Sequence, residues 1–126
     1  MTELLEVGPS AFGGRAVFAT RRIRADTLLM QAPLLLVPAV QRDHLAATLV
    51  DDYVYEWDED GTAALVLGIS SICNHHDEPN AFLWLLPETS TAELWSTEPI
   101  RAGAEVTVSY RADGRADPLW FTDARA

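Results

Sequence analysis

Hydrophobic and polar positions change over in short pieces along this chain, and the proline and glycine residues, seven of each, end the pieces early. Gly8–Pro9 and Gly13–Gly14 predict an early turn region. Arg15 to Thr20, with Val17, Phe18 and Ala19 apolar, predicts a short strand. Leu28 to Val37 is a buried run interrupted by Pro33; proline has no N–H for a central ladder, so the run reads as two short strands with a kink. Val40, Leu45, Ala46, Leu49 and Val50 recur at a spacing that suits one short amphipathic helix over 40–50. Asp51 to Trp57, rich in Tyr and Trp, reads as a strand or an extended loop, and Ala63 to Ile72 as helix or buried strand. Ala81 to Leu86, Ala92 to Thr97 and Glu105 to Tyr110 predict strands, separated by turns at Pro87–Thr91 and Arg101–Gly103. Beyond Arg111 the chain is polar, save for Leu119, Trp120 and Phe121. Many short strands with one or two short helices predict a mainly β domain.

A length of 126 residues predicts a single domain over 1–126. Hydrophobic residues at 48% and charged residues at 22% exclude disordered and low-complexity classes. Cys73 stands alone, which excludes an intrachain disulfide framework and an all-cysteine zinc site. The longest apolar run, Leu28 to Val40, is broken by Gln31, Pro33 and Pro38 and is too short to span a bilayer, so no membrane partner is expected. Met1 to Val7 carries Glu3 and Glu6 and no basic residue, unlike a signal peptide. The expectation is a reduced, soluble protein of the cytoplasm.

Charge narrows the partners. A formal net charge of −10 is a poor field for phosphate, so direct nucleic-acid binding is not expected, and a basic protein or peptide is. The acidic block Asp51, Asp52, Glu56, Asp58, Glu59 and Asp60 reads as a solvated face that could also attract such a partner. All nine bases are arginine, for which GC-rich codon usage is the plain explanation.

The densest polar cluster is Asn74–His75–His76–Asp77–Glu78–Pro79–Asn80. Neighbouring residues on an extended chain point to opposite sides, so this run does not read as a metal site, and none is expected. No serine sits in a nucleophile elbow.

Three separated segments resemble the SET-domain family of protein-lysine methyltransferases. Gly13–Gly14–Arg15–Ala16–Val17–Phe18–Ala19 is similar to the family's G-x-G-V-F-A strand, Asn74 to Asn80 to its N-H-S-x-x-P-N, and Gly103 to Tyr110 to its G-E-E-L-T-x-x-Y. Order and spacing match as well, over about Pro9 to Tyr110, leaving 111–126 as a tail. Asp52 to Trp57 followed by Leu67–Gly68 resembles the minimal bacterial and viral members.

The resemblance implies a fold of several small sheets with a knot-like C-terminal threading, held in part by Pro79 and Asn80. It implies transfer of the methyl group of S-adenosylmethionine to a lysine ε-amine of a protein. Gly14, Arg15 and Ala16 would lie against the methionine end of that cofactor, where glycine lets the backbone come close. Asn74 would bind its amino-acid moiety, the His75 backbone its adenine edge, and Tyr110 would stand at the point of transfer. Tyr53 would line the lysine channel beside Tyr110 as the second catalytic aromatic, with Tyr55, Trp57, Trp120 and Phe121 as further channel residues. Taken without the resemblance, Tyr110 reads as a core residue with a wet tip, Asn74 and Asn80 as turn caps, and Tyr53 and Trp57 as core filling. Minimal members also form homodimers, and Leu119–Trp120–Phe121 could serve one here.

The sequence departs from the family pattern at Ala16, at Asp26 in the turn after Ile23, at His76 and at Ala104. The departures at Ala16 and His76 motivate an alternative: a SET scaffold that binds a basic protein segment and transfers no methyl group. Methylation of a small amine is a third reading.

Overall fold

The computed structural model describes residues 4–110, and Trp120 and Phe121 lie outside them. Two sheets and a few short helical turns make up the fold. The first sheet has the order β1 (Leu5–Pro9), β2 (Arg15–Ala19), β9 (Glu105–Val108), β6 (Asn74–His75). The second has the order β4 (Val54–Glu56), β5 (Ala63–Val66), β3 (Leu28–Val37), β8 (Thr91–Ser96), β7 (Ala81–Leu86).

The early turn falls later than the Gly8–Pro9 signal predicts. Both residues belong to β1, where Gly8 faces Ala16 and Pro9 faces Arg15. The reversal is made by Ser10 to Gly14, closed by the Ser10 N–H on the Gly14 carbonyl at 2.9 Å, with Gly13 and Gly14 at φ of 96° and 70°. Those left-handed angles are why glycine stands at both positions.

Leu28 to Val37 is one strand of 10 residues, not two, but proline leaves its mark. Residues up to Pro33 pair with β8, and from Leu34 onward the strand pairs with β5. Pro33 therefore sits where the strand changes neighbour, and its carbonyl accepts from the Leu67 N–H at 3.0 Å. The 40–50 segment corrects the sequence reading. Its α-helix covers only Arg42–Ala46, and no residue of it is buried. Val40 is 86% exposed and Leu49 is 72% exposed, so the apolar spacing there does not mark a core-facing side. Leu49–Tyr53 forms a 3-10 turn leading into β4, and Ile69–Ile72 a second one leading into β6.

The core lies between the two sheets. Leu5, Val17, Ala19, Val106 and Val108 from the first pack with Leu29, Met30, Ala81 and Leu94 from the second. Ile23 and Ile100, each 2% exposed, bridge backbone to backbone beside them. The turn after Ile23 uses Asp26 at φ 58°, a conformation aspartate tolerates, and its N–H is held by the Ser96 carbonyl at 2.9 Å.

β9 occupies the middle of the first sheet, antiparallel to β2 and parallel to β6. Asn80 clamps it from outside the ladder. Its Nδ2 donates to the Glu105 carbonyl and its Oδ1 accepts from the Thr107 N–H, each at 2.9 Å. Asn80, which the resemblance assigns with Pro79 to the C-terminal threading, is thus tied to β9.

Candidate functional site

The three motif segments, far apart in sequence, meet along β9. The Asn74 Nδ2 donates to the Arg15 carbonyl at 2.9 Å and to the Glu105 Oε2 at 3.1 Å. Both neighbours can only accept, so the orientation of the amide is fixed: nitrogen inward, Oδ1 turned away from both. The parallel pairing of Asn74 with Thr107 and of His75 with Val108 holds this residue in place. β6 is the outer strand of its sheet, so the other side of the Asn74–His75 backbone faces away from β9.

Tyr110 follows β9 and is held at two points by the segment Cys73 to His75. Its hydroxyl donates to the Cys73 carbonyl at 2.7 Å, and its backbone N–H donates to the His75 Nδ1 at 3.0 Å. The His75 and Tyr110 rings meet at 5.4 Å between centroids.

The aromatic that shares this environment is Tyr55, on β4. It packs against the core, and burial, helped by Tyr110 and Cys73, pushes its phenol well above the usual value. Tyr55 thus holds its proton more firmly than a free phenol does. Tyr53, half-buried at the end of its 3-10 turn, makes no side-chain hydrogen bond or ring contact among the described residues. The sequence analysis ranks Tyr53 first; the electrostatic link to Tyr110 belongs to Tyr55. Trp57 is half-buried after β4, with its backbone N–H on the Thr62 carbonyl at 3.0 Å.

The departures from the family pattern have local explanations. Ala16 is fully buried and keeps a negative φ, so its methyl packs inside rather than projecting into open space. His76 turns back into its own loop, where its Nδ1 accepts the Glu78 N–H at 2.9 Å. Among the described residues no cluster of three His, Cys, Asp or Glu side chains could hold a metal ion. No helix of the described chain is long and apolar enough to cross a membrane.

Sequence reasoning missed two contributors, Cys73 and Glu105. Cys73 acts through its carbonyl, which no side-chain pattern can reveal. Its thiol is pushed by burial, and further by Glu105, from the ordinary 9.0 to about 12, so it stays protonated. Glu105 did have a signal: it is the acid of the third motif that the chain retains.

The residues fit a cationic amino-acid ligand of the S-adenosylmethionine type. The Asn74 Oδ1 is an acceptor with no partner among the described residues, and it suits an ammonium. A side-chain carbon added at Gly13 or Gly14 would meet nothing within 4 Å, so the glycine turn opens onto free space next to Arg15.

Comparison with known proteins agrees with this geometry. The SET domain family model matches residues 14–111. A fission yeast protein, the Schizosaccharomyces pombe "Histone-lysine N-methyltransferase, H3 lysine-37 specific", is 30% identical over 120 residues, covering 94% of this chain and 78% of the relative. A crystal structure of a candidate histone methyltransferase from Plasmodium falciparum superposes with a TM-score of 0.70 at 21% identity, over 90% of this chain and 97% of the other, which speaks for the fold. The motif segments gathered on β9 and the family match over 14–111 together place this chain in the SET-domain family of protein-lysine methyltransferases.

Proposed function

We propose that the chain transfers a methyl group from S-adenosylmethionine to the ε-amine of a lysine in a basic, histone-like protein segment. The observation that carries this reading is the continuous set of hydrogen bonds from Arg15 through Asn74 and His75 to Tyr110. It ties the residues suited to the donor's amino-acid end and the tyrosine suited to the transfer point to one dipeptide, Asn74–His75.

S-adenosylmethionine, when bound, supplies an electrophilic methyl on a positively charged sulfur. The Asn74 Oδ1 would accept from the ammonium of the donor, the Gly14–Arg15–Ala16 backbone would hold its methionine end, and the outward side of the His75 backbone would hold its adenine edge. The Tyr110 oxygen, oriented by its bond to Cys73, offers lone pairs for weak C–H···O contacts and for the incoming amine. Tyr55 and Tyr110 make the lysine's surroundings apolar, which favours the neutral, nucleophilic amine over the ammonium. Nothing in this scheme asks a side chain to remove the lysine proton; solvent takes it before the amine enters. Positioning then supplies much of the rate.

Charge supports a basic substrate. The chain carries −10 overall, and the yeast relative is named for histone H3. The binding-only alternative loses its motivation, because Ala16 is buried and His76 caps its own loop. The test is labelled methyl transfer onto recombinant histone H3 and onto a copy with its lysines replaced by arginine. Label on the first and none on the second is expected; label on neither, or on both alike, overturns the reading.

A further inference from the structure

Asp77 is on the outside of the site and no step above uses it, yet it is bonded to the residue that holds Tyr110. The His75 imidazole is fully buried, and each ring nitrogen has a partner: the Nδ1 accepts the Tyr110 backbone N–H at 3.0 Å, and the Nε2 lies 2.8 Å from the Asp77 Oδ1. A nitrogen that accepts an N–H cannot carry a proton of its own, so the ring hydrogen is on Nε2 and donates to Asp77. β9 ends at Val108, and two residues on the Tyr110 N–H is received by this ring. The other tautomer would set N–H against N–H at Tyr110.

We propose that Asp77 is a positioning residue for methyl transfer: it fixes the Nε2–H tautomer and the plane of the His75 ring, and through that ring the backbone of Tyr110. This rests on reading Tyr110 as the tyrosine of the transfer point. The logic is that of a carboxylate orienting a histidine that orients something else, with a backbone amide in the final place. Because the Asp77 side chain is 54% exposed, it can be exchanged without opening the core.

The test compares wild type with Asp77→Ala and Asp77→Asn. Asparagine keeps an acceptor for the Nε2–H and alanine does not. Nitrogen-15 NMR of the cofactor-free protein should show His75 as the Nε2–H tautomer in wild type and D77N, and as a tautomer mixture in D77A. With histone H3 as substrate, D77A should lower kcat roughly tenfold or more, the rate equivalent of one lost charge-assisted hydrogen bond. D77N should stay within about threefold, and KM for S-adenosylmethionine should change by less than about twofold in both, since the contact is not to the donor. Wild-type turnover in D77A, or an Nδ1–H ring in the wild type, overturns the proposal. If the wild type transfers no methyl group at all, the reading of the site fails and the NMR decides alone: a tautomer that Asp77→Ala disturbs upholds the Asp77–His75 link, and one it leaves intact overturns it.

Discussion

Asn74 reaches across 59 positions of sequence to hold the Arg15 carbonyl at 2.9 Å, and this one bond joins the glycine turn to the Asn–His strand. Because the same nitrogen also reaches Glu105, the amide oxygen is left facing outward, where an ammonium can meet it. Replacing Asn74 with alanine removes that oxygen and the tie. Affinity for S-adenosylmethionine or its demethylated product should fall by about 1–3 kcal/mol. Calorimetry checks this, and an unchanged Kd would remove Asn74 from the donor site.

Tyr110→Phe keeps the ring against His75 and loses only the hydroxyl on Cys73. An interaction made chiefly at the point of transfer lowers kcat and leaves ground-state binding alone. Turnover should drop about tenfold or more while donor affinity moves by less than about threefold. Equal losses in both would mean that the hydroxyl serves binding.

Asn80 clamps β9 through two backbone bonds, to Glu105 and to Thr107, and Thr107 is 6% exposed. Alanine there strands an N–H and a carbonyl at once. The cost should be about 2–4 kcal/mol of unfolding free energy, from roughly 1–3 kcal/mol for each unpaired buried group. A urea titration measures it, and a loss below about 1 kcal/mol would show that water satisfies β9 equally well.

Gly68 is needed for close approach rather than for an unusual angle. A Cβ built on it would lie 2.8 Å from the Ala32 Cβ and 3.0 Å from the Met30 sulfur. Overpacking of this kind costs about 1–3 kcal/mol. Gly68→Ala should therefore lower the melting temperature, and a variant as stable as wild type would mean that β3 yields without strain.

Alkaline pH should weaken the fold through two groups. Both Cys73, raised from 9.0 to about 12, and Tyr55, raised above its ordinary 10.0, hold their protons more tightly folded than unfolded. Stability from each is complete below the unfolded value and is lost as pH climbs toward the folded one. For Cys73 the window is pH 9 to 12. The urea midpoint should be lower at pH 10.5 than at pH 8, and Cys73→Ala should make the fall shallower. A midpoint that holds steady to pH 11 would contradict the buried placement of both groups.

Much of this was legible in the sequence where local and tertiary demands agree. Arg15–Ala19 follows an apolar run that the core does bury, Ala81–Leu86 is one of which the core takes the Ala81, Leu83 and Leu85 side, and Gly13–Gly14 marks a turn that needs left-handed angles. The 40–50 segment misleads because its apolar spacing is real but nothing among the described residues buries it. β6, two residues long, has no pattern of its own and exists only because β9 lies beside it. The site divides the same way. Asn74, His75 and Tyr110 stand in motifs, whereas Tyr55 and Tyr53 lie two apart and only the 3-10 turn ending at Tyr53 separates their surroundings. Cys73 contributes a carbonyl, and Asp77 a bond that depends on how the loop folds back.

The central claim is that donor and lysine meet at Tyr110, beside the Asn–His strand that Asn74 ties to the glycine turn. Mass spectrometry of intact histone H3 after incubation with S-adenosylmethionine and either wild type or Tyr110→Phe tests it most directly. The account predicts methylated lysine with the wild type and little or none with the variant; methylation by the two proteins to the same extent would contradict it.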